Sequence, residues 1–143
     1  MRSALFIDTW GWIAYGYRRD AAHSRVKQFL DDEFSAGTPI YTTDYVLDEL
    51  LTFIFLRASF TEAANFVRAL FDAAQHGFIS IERIDVPRFD AAWTLRQRFH
   101  DKPQISFTDL TSMVVMQDLG IVDVLTEDQH FLHVGLGFQK VVP

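Results

Sequence analysis

Short apolar runs separated by helix-patterned segments predict an α/β fold, a mostly parallel sheet covered by helices on both faces. Three observations carry this. The runs ALFI at 4–7, FISIERI at 78–84 and GIVDVL at 120–125 are rich in strand-forming residues and too short for helices. Between such runs lie segments with apolar residues at helical spacing, such as Val26, Phe29, Leu30 and Phe34. The joins carry turn and cap residues, among them Gly37-Thr38-Pro39, Gly77 and Gly120.

The elements follow in order. Residues 4–8 read as a fully buried strand ending on Asp8, and 10–17 (WGWIAYGY) as a short helix. Residues 21–34 form an amphipathic helix and 40–42 a short strand. Residues 44–57 form a strongly apolar helix with Thr43 as its N-cap. Thr61 opens a helix with Ala64, Val67, Leu70 and Phe71 on one face, ending near Gly77. A strand at 78–84 leads to a helix over 87–100, with Pro87 suited to its first turn. The helix over 107–119 stops at Gly120, and 121–125 is a further buried strand. A short helix over 127–134, opened by a Thr126-x-x-Gln129 capping box, and a last strand at 138–142 close the chain.

With 143 residues and no linker-like or repetitive stretch, residues 1–143 are expected to make a single domain. The chain has no Cys, which excludes disulfides and thiolate metal sites. No uninterrupted run approaches the roughly 20 apolar residues of a membrane span. The start does not read as a signal peptide, so a cytoplasmic protein is expected, with no membrane partner. A net charge of −6 argues against holding nucleic acid by bulk electrostatics. It leaves room for an enzyme that meets nucleic acid through metal ions and a local basic patch. The 14 Phe imply either a thick core or apolar surface kept for a partner.

Four acids sit where a stable core does not need them. Asp8 ends a buried strand, and Asp128 directly follows the strand ending at Leu125. Asp109 opens a helix that becomes wholly apolar, and Glu49 has Tyr45, Val46, Thr52 and Phe53 as helical neighbours. Asp48, one step round, is the solvent-facing member of that pair. Each acid has an ordinary reading too. Asp8 suits an N-cap, Asp109 forms a capping-box-like pair with Ser106, and Asp128 suits a helix dipole. Glu49 has no such excuse, because an unpaired buried carboxylate is costly. Taken together, the four fall where an α/β fold brings ligands, beyond the carboxyl ends of the strands. Carboxylates that close repel one another unless a cation neutralises them. Oxygen ligands without Cys or a clear His pair select Mg²⁺ or Mn²⁺, ions that serve phosphate chemistry. Asp123, inside its strand, is a fifth acid that the motif register does not favour. The five His lack metal-ligand spacing and read as surface or packing residues.

The blocks FIDTW at 6–10, DELLT at 48–52, SFTDLTSMVVM at 106–116, LTEDQHF at 125–131 and GFQKV at 137–141 resemble, in order and spacing, a PIN-domain nuclease of the VapC type, the toxin of a bacterial toxin–antitoxin pair. The resemblance implies a three-layer α/β/α domain with a central parallel sheet of four to five strands. It assigns metal binding and catalysis to Asp8, Glu49, Asp109 and Asp128, with Mg²⁺ or Mn²⁺ as cofactor. It implies cleavage of RNA phosphodiester bonds by metal-activated water, in a homodimer inhibited by an antitoxin protein. Thr9, Ser106 and Thr108 match hydroxyls that flank the acids in the family. Trp10 departs from the small polar residue common after the Asp-Thr pair.

For the RNA backbone, the positive cluster Arg18, Arg19, Arg25 and Lys27 begins soon after Asp8. A solvated helix face explains it equally well. Trp10, Trp12, Phe53 and Phe55 form either core or an apolar seam for a dimer mate or antitoxin helix. The alternative reading is a non-catalytic PIN-like module that binds RNA or protein, which has no need of four converging carboxylates. A receiver domain lacks its acceptor Asp and late Lys here, and a dehalogenase-type phosphatase lacks its Asp-x-Asp.

Overall fold

The structure is a computed structural model and describes residues 2–143. Five strands and seven helices alternate along it: β1 Leu5–Ile7, α1 Thr9–Gly16, α2 His23–Ser35, β2 Ile40–Thr43, α3 Asp44–Arg57, α4 Phe60–Gln75, β3 Ile79–Glu82, α5 Val86–Arg98, α6 Phe107–Leu119, β4 Asp123–Leu125, α7 His130–His133 and β5 Gln139–Val141. The strands form one sheet in the order β3-β2-β1-β4-β5, every pair parallel. From β1 the chain steps outward to β2 and β3, then returns past β1 to β4 and β5. The right-handed crossover rule accordingly puts α1–α4 over one face and α5–α7 over the other. This is the three-layer parallel architecture expected, with its switch of direction between β1 and β4.

The register sets the geometry of that switch point. Phe6 pairs with Val124 and Ile7 with Leu125, so Asp8 and Thr126 leave neighbouring strands side by side. The Asp8 N–H donates to the Leu125 carbonyl at 3.2 Å, extending the pairing one step past the strand. Gly11 lets α1 lie close over this end. A Cβ there would come within 2.9 Å of Ile7 and Leu125 side-chain atoms.

Buried Leu5, Phe6 and Ile7 pack with Trp12, Val26, Leu30 and Ile40 in one large core cluster. Residues Leu110 to Met116 of α6 are buried without a break, so this helix is enclosed by protein on all sides. Trp12 belongs to the core rather than to any exposed seam. Its indole N–H donates to Thr42 Oγ1 at 3.0 Å, and that hydroxyl reaches the Ile7 carbonyl. Trp10 is half-buried against the same cluster, whereas Phe55 is exposed.

Several caps follow the sequence: Thr43 and Ser106 accept the N–H of Val46 and Asp109, and Gly120 ends α6 at φ 68°. Helix α5 starts at Val86 rather than Pro87, because Asp85 accepts the Arg88 N–H, and Asp8 makes no capping hydrogen bond. Helix α4 starts at Phe60 rather than Thr61, because Ser59 is its cap, and Phe71 points outward. The expected helix over 127–134 shrinks to His130–His133, and Thr126 does not cap it. That hydroxyl is engaged elsewhere.

The loop between α5 and α6 is held by one side chain. Arg96 donates to the carbonyls of Phe99, Lys102 and Ile105 at 2.6–2.8 Å and so fixes the chain entering Ser106 and α6. Charge-assisted bonds of this kind are the stronger ones. Arg96→Ala is expected to lower stability by about 2 kcal/mol. Arg96→Lys should recover only part of this, because a single ammonium cannot reproduce the planar fork. Urea denaturation of the three proteins checks this; an unchanged midpoint in Arg96→Ala would mean the loop holds without it.

Candidate active site

The site is built where β1 and β4 end. Asp8 has the extended backbone of an N-cap residue before α1, yet its side chain makes no capping hydrogen bond. Its carboxylate turns instead into the protein, where only 5% of the residue is exposed. Oδ2 accepts from Thr126 Oγ1 at 2.8 Å, while Oδ1 is buried without a partner.

Thr126 is fully buried and serves both acids next to it. Its hydroxyl donates to Asp8 and accepts the Asp128 N–H at 3.0 Å. The Asp128 carboxylate in turn accepts the His130 N–H at 2.9 Å. His130 Nδ1 also lies 2.9 Å from Asp128 Oδ1, without forming a hydrogen bond to it. From the other side, the Ser106 hydroxyl caps α6 by accepting the Asp109 N–H, leaving the Asp109 side chain free to face Asp128. One ligand atom each from Asp109, Asp128 and His130 lies within 4.8 Å of the others. Glu49 enters from α3, where Thr9 Oγ1 donates to its Oε1 at 2.7 Å. Asp48 beside it is exposed.

The electrostatics follow from this crowding. Burial raises the Asp8 carboxyl to about 6, helped by the charges of Asp128 and Glu49 and opposed by the Thr126 hydrogen bond. Burial likewise pushes Asp109 up to about 9, with the charge of Asp8 and the shared hydrogen bond with Asp128 adding to it. Among the described residues no Lys or Arg forms an ion pair with any of the four acids. The donor set of carboxylates plus one imidazole, and the partnerless Asp8 oxygen, fit a hard divalent cation.

The sequence-derived candidates thus separate. Asp8, Glu49, Asp109 and Asp128 share one space, with Thr9 and Ser106 bonded to two of them. The Thr108 side chain makes no hydrogen bond to the acids among the described residues. Asp123 sits at the opposite end of β4, paired with Arg2 at 3.0 Å. Arg18 and Arg19 follow α1 directly, whereas on α2 Arg25 reaches the Pro143 carbonyl and Lys27 pairs with Asp31. Two residues were not foreseen, Thr126 and His130. Thr126 had a signal, since it leaves β4 in the position where Asp8 leaves the adjoining β1; a capping box gave it another explanation.

The chain is similar to known proteins over nearly its whole length. It is 28% identical over 139 residues to the 23S rRNA-specific endonuclease VapC20 of Mycobacterium tuberculosis, covering 97% of this chain and 98% of the relative. The crystal structure of that Mycobacterium tuberculosis protein, described as a Sarcin-Ricin loop cleaving toxin, superposes with a TM-score of 0.80 over 98% of this chain and 100% of the other. FitAcB from Neisseria gonorrhoeae, 17% identical with a TM-score of 0.63 over 95% of each chain, shares the fold. The PIN domain profile matches residues 5–136, and the chain belongs to the PIN domain family.

Proposed function

We propose that this protein is a metal-dependent endoribonuclease, the toxin of a toxin–antitoxin pair, with Asp8, Glu49, Asp109 and Asp128 as its catalytic acids. The observation that carries the reading is the convergence of these acids, with no internal cation, around a buried Asp8 oxygen that has no partner. The relatives named as endonuclease and toxin across the full chain length support the same activity. Mg²⁺ or Mn²⁺ is the cofactor this donor set favours; Asp109, Asp128 and His130, whose ligand atoms lie within 4.8 Å of one another, and the partnerless Asp8 oxygen would hold it. Such an ion supplies acidity to a water and neutralises charge on the transferring phosphoryl group. Glu49, anchored at one oxygen by Thr9, offers the other to orient the attacking water and take its proton. Thr126 is a positioning residue that fixes the Asp8 and Asp128 carboxylates relative to one another. A cytoplasmic homodimer controlled by a cognate antitoxin completes the proposal, with residues 1–143 acting as one nuclease domain.

The decisive experiment incubates the protein with a mixed RNA pool and with ribosomal RNA, in Mg²⁺, in Mn²⁺ and in EDTA. Cleavage requiring metal, and reduced by about 10²-fold or more in Asp8→Asn and in Asp109→Asn, is the expected result. Cleavage that survives EDTA or either substitution would overturn the mechanism. Thr126→Val should keep the fold and lower kcat by about tenfold, while Thr126→Ser restores activity toward wild type.

The acid cluster also fixes a pH dependence in the metal-free protein. Asp8 and Asp109 hold protons more tightly when folded than when unfolded, so their contribution to stability is fully present below about pH 4. It is lost as the pH rises through about 6 for Asp8 and about 9 for Asp109. In EDTA the Tm should therefore fall between about pH 5 and pH 8, with a shallower fall in Asp109→Asn and recovery on adding Mg²⁺ or Mn²⁺. Calorimetry at several pH values checks this; equal slopes for wild type and Asp109→Asn would contradict the raised Asp109 carboxyl.

A further inference from the structure

Helices α1 and α3 both leave the acidic site, joined there by the Thr9–Glu49 hydrogen bond. They meet again farther out. The Tyr17 ring, just past α1, lies edge-on to Phe53 with centroids 5.7 Å apart. Phe53 is one turn beyond Glu49 on α3, and Arg57 is one turn beyond Phe53. The Arg19 guanidinium lies 4.9 Å from the Tyr17 ring centroid, and that of Arg57 lies 5.2 Å from that of Phe53. Arg19 also donates to the Tyr17 hydroxyl and to the Arg57 carbonyl. The result is a stack in the order Arg19, Tyr17, Phe53, Arg57, its two arginines exposed and its rings half-exposed.

What sets this cluster apart is its position, with both arginines on one pair of touching rings carried by or next to the two helices that supply Thr9 and Glu49. Among the described residues neither Arg19 nor Arg57 forms an ion pair, as is also true of Arg68, Arg83 and Arg98, while neighbouring Arg18 is held by Glu62. Contact with the rings restrains both guanidinium groups, and the N–H groups not already donated within the cluster remain for an anion. In a chain of net charge −6, two arginines without ion pairs on half-exposed rings form a local basic patch.

We propose that the Arg19–Tyr17–Phe53–Arg57 stack is the track that holds single-stranded RNA leading away from the scissile phosphate. This rests on the ribonuclease reading above. Bases stack on the rings and guanidinium planes, and phosphates meet the free N–H edges. The eight helical steps from Glu49 to Arg57 span about 12 Å. That matches about three or four stacked nucleotides at 3.4 Å each. The track therefore grips the flanking nucleotides and makes no contact with the reacting atoms.

The test uses binding rather than cleavage, in the Asp109→Asn background, with a fluorescein-labelled single-stranded RNA pool of random sequence. Affinity is measured by anisotropy across a series of salt concentrations. Arg19→Ala with Arg57→Ala should weaken binding at least tenfold and lower the salt slope by about 1.4, for two phosphate contacts to a single strand. Phe53→Leu should weaken binding about tenfold with the slope unchanged, since it removes stacking and no charge. Arg68→Ala with Arg98→Ala removes the same charge elsewhere on the surface and should leave the slope unaltered. A slope lowered equally by both pairs would overturn the track, as would unchanged affinity in Arg19→Ala with Arg57→Ala. A change of sedimentation in the stack variants would also overturn it, by making the stack a contact between copies of this chain. Cleavage of RNA by the wild type is scored separately. Cleavage with an unaltered stack phenotype rejects the track alone, whereas absence of both cleavage and binding rejects the nuclease reading with it.

Discussion

Like-charge repulsion at the carboxyl ends of β1 and β4 is the constraint to which the rest of the structure is fitted. A carboxylate as enclosed as Asp8 is costly when ionised, and the charges of Asp128 and Glu49 raise that cost. Nothing in folding alone calls for this arrangement. A well-packed apolar residue at such a position is generally as stable or more so. The large core below the site offsets the penalty, from the fully buried residues of β1 to the uninterrupted buried run of α6.

The chain orients these acids with hydroxyls and backbone amides, not with cations. Thr126 bridges Asp8 and Asp128, Thr9 anchors Glu49, and Ser106 fixes the start of the helix that carries Asp109. A neutral donor holds a carboxylate in place without cancelling its charge, so the affinity of the cluster for an external cation is preserved. Three partly buried arginines are committed elsewhere. Arg2 bridges Glu33 and Asp123 at the far end of the sheet, Arg88 bridges Glu82 and Asp118, and Arg96 ties three carbonyls. The distribution of positive charge therefore says as much about the site as the acids do.

Most of the fold was legible because its signals are local. The strand runs are short and apolar, the helices carry period-3.6 faces, and Thr43, Ser106 and Gly120 mark ends that the structure keeps. The acids were legible for the opposite reason, since each contradicts its local surroundings. What was not legible depends on contacts distant in sequence. Thr126 looks like the start of a capping box, because a hydroxyl before Gln129 fits one locally; its partner Asp8 lies 118 residues away. His130 carries no spacing pattern of its own and gains a role only once β4 sets Asp128 opposite Asp109. Trp12, by contrast, resembled a possible docking residue and proved to be core, because its indole N–H finds Thr42 across 30 residues of chain.

Overall negative charge and an RNA substrate are compatible only if attraction is confined. A uniformly basic enzyme would bind any polyanion with comparable strength, and its selectivity would rest on chemistry alone. Here the net charge of −6 keeps non-specific attraction to RNA weak. A strand that gains entry must then find its positive contacts near the cleft and its stacking surface beside them. Repulsion elsewhere acts as discrimination against wrong sites, in the way like charges suppress wrong partners at interfaces.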